Sequence, residues 1–179
     1  MPKILFIVFC AALFSFSTYA DAKKNDSAQV FLKSATRGDI DQVQSLLKQG
    51  INVNTRHPIT EWTALIGASY YGKKEIVTLL IASGADVNAK DKNGGTALIK
   101  AVTLGPYQDM QQHLKDKAEI IRMLLKAGAD PQYKDPVAGK AWEIAMINGH
   151  TEFIQVFEQE GVKGIKEMRL IHSAAAGDT

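Results

Sequence analysis

The chain has 179 residues, 46% of them hydrophobic and 22% charged, which is enough to bury a core and typical of a folded water-soluble protein. Its 21 basic and 19 acidic residues nearly balance, so nothing in the overall charge calls for nucleic acid or an anionic membrane as partner. The only cysteine, Cys10, lies close to the start, so the body of the chain can form neither a disulfide nor a thiolate metal site.

The segment 1–20 has the layout of a secretory signal. Lys3 gives a short basic start, Ile4 to Phe16 is an unbroken run of apolar or small side chains, and Thr18-Tyr19-Ala20 places small side chains three and one positions before a cut. That run is too short to span a bilayer comfortably. Cleavage after Ala20 exposes a polar segment, residues 21–27, and leaves 20 basic against 19 acidic residues. The other reading of the leader is an uncleaved anchor. Cys10 has neither the position nor the preceding small residues of a lipoprotein signal.

From residue 28 onward the sequence repeats. Thr63-Ala64-Leu65 returns as Thr96-Ala97-Leu98, which sets the period, and Gly84-Ala85-Asp86 returns as Gly128-Ala129-Asp130, one period and a third of a period further on. Gly72 to Gly105 and Gly128 to Gly161 are 33 apart, whereas Gly38 to Gly50, Gly72 to Gly84 and Gly149 to Gly161 are 12 apart. A fixed period of this length marks a stack of supersecondary units. Within the second unit, the apolar and small residues from Leu65 to Ser69 predict a helix of about two turns ending near Gly72. Ile76, Val77, Leu79, Leu80 and Ile81 then form the apolar face of a second helix stopped by Gly84. The polar stretch from Asp86 to Gly95 predicts a hairpin connector.

One such unit cannot cover its own apolar faces, so the units must stack. Phe31, Leu65, Leu98 and Trp142, each seven positions before a turn glycine, are the expected core of the first helices. Leu46-Leu47, Leu79-Leu80, Leu124-Leu125 and Val156-Phe157 are that of the second. In the third unit Gly105 to Gly128 is nearly double the usual interval between turn glycines, which places an insertion near 106–116. There Tyr107, Met110, Leu114, Ala118, Ile121 and Leu125 recur at helical spacing, predicting a helix with Pro106 in its first turn, about three turns longer than its counterparts. An element beyond the needs of the stack suggests a private contact through Tyr107, Met110 and His113, or simple drift of a loop. At the end, residues 164–179 predict a capping helix over the fourth unit, with a truncated longer array as the alternative.

These residues resemble ankyrin repeats. TALIGASYYGKKEIVTLLIASGADVN at 63–88 is similar to the family pattern, and so are TALIKAVTLG at 96–105 and EIIRMLLKAGADP at 119–131. The resemblance covers residues 28–163 and implies an all-α solenoid of four helix-turn-helix units with hairpin connectors, bounded at about 28–58, 59–92, 93–136 and 137–163. Ala64 and Ala97 stand where the family prefers proline, and Ile66 and Ile99 where it prefers histidine. The fourth unit, AWEIAMINGH, lacks the threonine, which predicts a looser loop there.

No catalytic constellation is visible. His57, His113, His150 and His172 are scattered with no pair at one-turn spacing, so no metal is expected, and Asp86, Asp91, Asp130 and Asp135 are expected to cap turns. Gly94-Gly95 lacks the strand and the Lys-Ser or Lys-Thr pair of a phosphate loop. No cofactor is expected. The resemblance instead implies a protein partner gripped by the hairpin tips and the exposed side of the first helices. By position this face includes Trp62, Tyr70, Tyr71, Lys100, Thr103, Leu104, Lys33 and Arg37, with Trp62 either a binding hot spot or the cover of an irregular first hairpin. The expectation is a monomeric, non-catalytic binding module, periplasmic or secreted, without membrane contact once the signal is cut. Its alternatives are a stabilising factor or regulatory subunit for an envelope enzyme, or a secreted effector acting on a host.

Overall fold

A computed structural model of the chain describes residues 26–104, 110–167 and 169–170. The expected signal, the Pro106 and Tyr107 start of the insertion, and His172 with the rest of the tail beyond Leu170 lie outside the described residues. The fold is a row of paired helices. Residues 26–37 (α1) pair with Ile40–Lys48 (α2), Ala64–Tyr70 (α3) with Lys74–Ala82 (α4), Ala97–Val102 (α5) with Met110–Lys126 (α6), and Ala141–Ile147 (α7) with Thr151–Gln159 (α8). Helical residues 165–167 and 169–170 follow the fourth pair, and Ile165 is buried against it.

The glycine spacing has a local cause. At Gly84 the backbone takes φ +81°, and the next N–H, of Ala85, reaches back to Leu80 C=O at 3.0 Å. That left-handed residue, costly for any side chain but glycine, closes the last turn of α4 and redirects the chain. The same backward bond recurs as Ile51 to Leu46, Ala129 to Leu124 and Val162 to Phe157. The shorter glycine intervals are therefore the distance between consecutive helix ends. At the other end of the first helices, Thr63 Oγ1 accepts from Ile66 N–H (3.2 Å) and Thr96 Oγ1 from Ile99 N–H (3.3 Å), the expected side-chain caps.

Stacking buries what each pair leaves bare. Phe31, Leu65, Leu98 and Trp142 are all at most 3% exposed, and Leu46, Leu80, Leu124 and Phe157 join them in one continuous core. Gly67 lets the first two layers close up: a Cβ there would lie 2.7 Å from the Thr36 methyl of α1. Polar bonds pin the register between layers. Asn54 Oδ1 accepts from Asp86 N–H (2.8 Å), Asn88 Oδ1 from Asp130 N–H (2.9 Å), and Asn88 Nδ2 donates to Gly128 C=O (3.0 Å).

One expectation is corrected and one is extended. The fourth loop is not looser for want of its threonine: Lys134–Asp135 (β1) pairs antiparallel with Gly139–Lys140 (β2), and Asp135 Oδ1 accepts from the N–H groups of Val137 and Ala138 at 2.8 Å each. Glu143 Oε2 also accepts from Lys140 N–H (3.0 Å), tying the helix start to the hairpin through a different donor from the one that Thr63 and Thr96 cap. The helix that carries the insertion also buries more than its expected stripe. Of its expected stripe, Ile121 is buried and Leu114, Ala118 and Leu125 are partly buried against the core, but the fully buried side chains of α6 also include Lys117, Ile120 and Leu124. At 17 residues against 9 in α4, the described part of α6 adds roughly two turns, and the expected start at Pro106 lies outside the described residues.

Candidate functional site

The exposed side of the first helices carries a chain of aromatic rings whose outermost member is open to solvent. Trp62 and Tyr70 meet edge to face at 5.4 Å between centroids, and Tyr70 meets Tyr71 in the same manner at 5.0 Å. Tyr71 is 39% exposed, whereas Trp62 and Tyr70 are partly buried. Trp62 is thus both wall and surface: it packs on the core and fronts a groove of about 330 Å³ lined by Leu32, Lys33, Thr36, His57, Thr60 and Gly67, among others.

Behind Trp62 stands Asp91, 5% exposed. Its Oδ1 accepts from Asn93 N–H (2.9 Å) and Gly95 N–H (2.8 Å), holding the second connector as expected of a turn aspartate. Its Oδ2 accepts from the Trp62 indole N–H (3.1 Å) and meets Lys100 Nζ at 2.8 Å. Burial pushes the Asp91 carboxyl up, but the Lys100 hydrogen bond, the Gly95 and Asn93 N–H groups and the Lys100 charge outweigh it, leaving the pKa below the ordinary aspartate value. One carboxylate therefore locks the first connector to the second.

The first connector performs the same turn with other residues. His57 N–H donates to Trp62 C=O as Asp91 N–H does to Gly95 C=O, both at 2.9 Å. His57 Nδ1 stands in for the aspartate oxygen, accepting from Thr60 N–H at 3.3 Å. The loop is one position longer, and Glu61, at the place of Gly94, is held at φ +56° where Gly94 has +91°.

The positional expectations divide. Lys33 and Arg37 are exposed one turn apart on α1, beside the groove or continuing its edge, and Tyr71 lies open on the same side. Lys100 does not point freely outward: its ammonium is engaged by Asp91 and sits 5.4 Å over the Trp62 ring. Thr103 donates its hydroxyl to Ile99 C=O (3.0 Å) and Leu104 packs on the core. Met110 opens α6 and Tyr107 lies outside the described residues. His113 turns inward over the α3–α4 turn, where a Cβ on Gly72 would come within 2.6 Å of its ring. Burial, then the Lys117 and Lys73 charges, push its pKa down to about 4, with Asp116 pulling the other way.

Lys117 is the buried residue that residue type alone conceals. Fully buried in α6, it donates to the C=O groups of Thr103 (2.6 Å), Lys100 (3.2 Å) and Ala101 (3.2 Å) at the end of α5, with the Tyr70 ring 5.5 Å away. Three acceptors match the three donors of an ammonium, which caps the carbonyl end of α5. Burial pushes this amine down to about 7, against the pull of the carbonyl oxygens at the negative end of the helix. The sequence holds a signal for it: Lys117 falls three positions after Leu114, four before Ile121 and seven before Leu124, on the apolar stripe itself.

Among the described residues there is no group of three or more His, Cys, Asp or Glu side chains placed to hold a metal ion, and no helix long and apolar enough to cross a membrane. What the surface offers is an aromatic, cation-edged concavity over a rigid stack. The sequence pattern described as ankyrin repeats in three copies matches residues 31–135, and the chain belongs to the ankyrin-repeat family. The fourth pair, α7 and α8, continues the stack beyond that match.

The chain is similar to ankyrin repeat and SAM domain-containing protein 6 of Rattus norvegicus, 40% identical over 72 residues, which is 40% of this chain and 8% of that protein. It is similar to glycerophosphocholine phosphodiesterase gde1 of Schizosaccharomyces pombe, 44% identical over 42% of this chain and 6% of that protein. A third relative is the human 2-5A-dependent ribonuclease, 38% identical over 42% of this chain and 10% of that protein. The chain thus spans a tenth or less of these relatives, and its likeness to the two enzymes covers only their repeat regions. Ankyrin repeats are generally protein-interaction modules.

Proposed function

We propose that this protein is a non-catalytic binding module, exported to the cell envelope or beyond, that grips a partner protein on the side of its first helices. The observation that carries this is the groove between α1 and α3, walled by Trp62 and edged by the exposed Lys33, with Tyr71 open at the end of the aromatic chain, on a scaffold whose layers are tied by Asn54 and Asn88. Partly buried aromatic side chains with an open edge supply large contact area at small entropic cost. Export rests on the leader: the apolar run from Ile4 to Phe16, followed by Thr18-Tyr19-Ala20.

The binding face is tested with the partner captured from the native envelope fraction. Tyr71→Ala and Lys33→Glu, both on the exposed surface, should each weaken recovery several-fold while the melting temperature stays within a degree or two of the parent, since surface changes away from packing are near neutral. Recovery unchanged by both, but lost on substituting exposed residues of α2 and α4, would move the binding face to the other side. Export is tested by fractionation and by sequencing the mature amino terminus. A start at Asp21 is expected, and an intact leader on a cytoplasmic protein would end that part of the proposal.

A further inference from the structure

The lining of the α1–α3 groove includes the cation Lys33 and no carboxylate. Lys33 lies on its rim, Arg37 follows one helical turn later, and the Lys73 methylenes run along the neighbouring turn, 3.2 Å from where a Cβ on Gly38 would stand. Among the described residues none of these three cations is in an ion pair. Three of the carboxylates closest to these elements have partners of their own. Asp91 is buried under Lys100 and Trp62, Glu61 faces Arg56 at 3.9 Å, and Asp39 accepts from Gln42 N–H at the start of α2 (3.1 Å). Between the cations the groove itself is largely apolar, with Leu32, the Thr36 methyl and the Trp62 ring as walls and Gly67 as floor.

We infer that the groove takes an acidic segment of a partner protein, with one large apolar side chain seated against Trp62 and Leu32 and flanking Asp or Glu side chains over Lys33, Arg37 and Lys73. This rests on the concave side being the binding face and adds the chemical class of what binds there. Unpaired charges of one sign around an apolar slot speed encounter with a segment of the opposite sign and reject a basic one, while the apolar contact supplies the affinity. The chain as a whole is nearly neutral, so the preference is a property of this patch.

The test is selection from a displayed library of random dodecapeptides on the immobilised full-length chain, followed by anisotropy titration of the synthesised winners and amide-shift mapping. Winners should carry two or more Asp or Glu around a single Leu, Ile, Phe or Trp, perturb the Trp62 indole and Gly67 signals, and weaken as salt rises. The K33E/R37E/K73E variant should bind them about tenfold less well, the combined effect of three exposed charge contacts of usual size, and should itself select basic peptides. The neutral K33Q/R37Q/K73Q variant, which introduces no repulsion that could disturb folding, should lose affinity by an intermediate factor. Neutral or basic winners that still perturb Trp62 would overturn the acidic class and leave the binding face standing. Winners that map to Val137 and Ile147 instead, or a library that yields none, would overturn both.

Discussion

Replacing Asp91 by alanine removes, in one step, the acceptor shared by two connectors. Four donors lose it: the N–H groups of Asn93 and Gly95, the Trp62 indole and the Lys100 ammonium, all within 3.1 Å. Asn93 is exposed and turns to water, so its share is small. Gly95 and the indole are covered, and Lys100 is left with a charge whose side chain is only 20% exposed. Breaking a buried, hydrogen-bonded pair from one side costs about 3 to 5 kcal/mol, and the partial access of Lys100 to water places this case near the lower end. For a chain of this size that is a fall of roughly 10 °C in melting temperature.

Asp91→Asn keeps an acceptor for Gly95 but meets Lys100 without charge, and should lose about half as much. Thermal melts followed by helical circular dichroism give the loss, and the Trp62 indole signal shows whether the ring is released. There is also an acid signature. A carboxyl whose folded pKa lies below its unfolded value stabilises the fold above the unfolded value, and that stabilisation is lost as pH falls through the folded one. The parent should therefore lose its advantage over Asp91→Ala below about pH 4. An alanine variant within about 1 kcal/mol of the parent at neutral pH would reduce Asp91 to an ordinary turn residue and remove the coupling of the second and third layers.

Other outcomes follow from the same bonds. Glu61→Gly should stabilise the chain by about 0.5 to 1 kcal/mol, because the left-handed backbone at φ +56° suits glycine; an unchanged melt would show that the strain is already relieved. Lys117→Met strands the Ala101 and Thr103 carbonyls and should cost about 2 to 4 kcal/mol in denaturant unfolding. Since the folded pKa of Lys117, about 7, lies below 10.5, the folded state holds fewer protons between those values, and parent stability should rise over the methionine variant from pH 7 toward 10. A gap independent of pH would mean that the carbonyls keep the amine charged throughout. His113, with its pKa down to about 4 from 6.5, should make the parent less stable as pH drops through that window, and His113→Gln should flatten the fall.

How much was legible in advance depended on how far apart the interacting groups lie in the chain. The paired helices, their glycine ends and the Thr63 and Thr96 caps follow from bonds that reach no further than the next helical turn, so the sequence carries them directly, and the repeat carries them again in each unit. The core residues were legible for a related reason: an apolar face that a two-helix unit cannot cover has to be covered by the next unit. The proposal of a cleaved leader likewise rests on local composition, from Ile4 to Ala20.

The candidate site was legible only in outline. Lys33, Arg37 and Tyr71 lie open on the expected side, but whether Trp62 and Lys100 are surface or scaffold depended on Asp91, 29 residues from one of them and on a different layer. Lys117 stands on the apolar stripe of its helix in sequence, but that it caps α5 is visible only in the fold, where the Lys100, Ala101 and Thr103 carbonyls, 14 to 17 residues earlier, meet its ammonium. Order along the chain was enough to specify the unit and its repetition, since these are written in short-range hydrogen bonding and in apolar periodicity. Which polar side chains are consumed between layers, and which are left to meet a partner, was settled only by the stacking itself, because a charge or a ring is free only when no neighbouring layer supplies its counterpart.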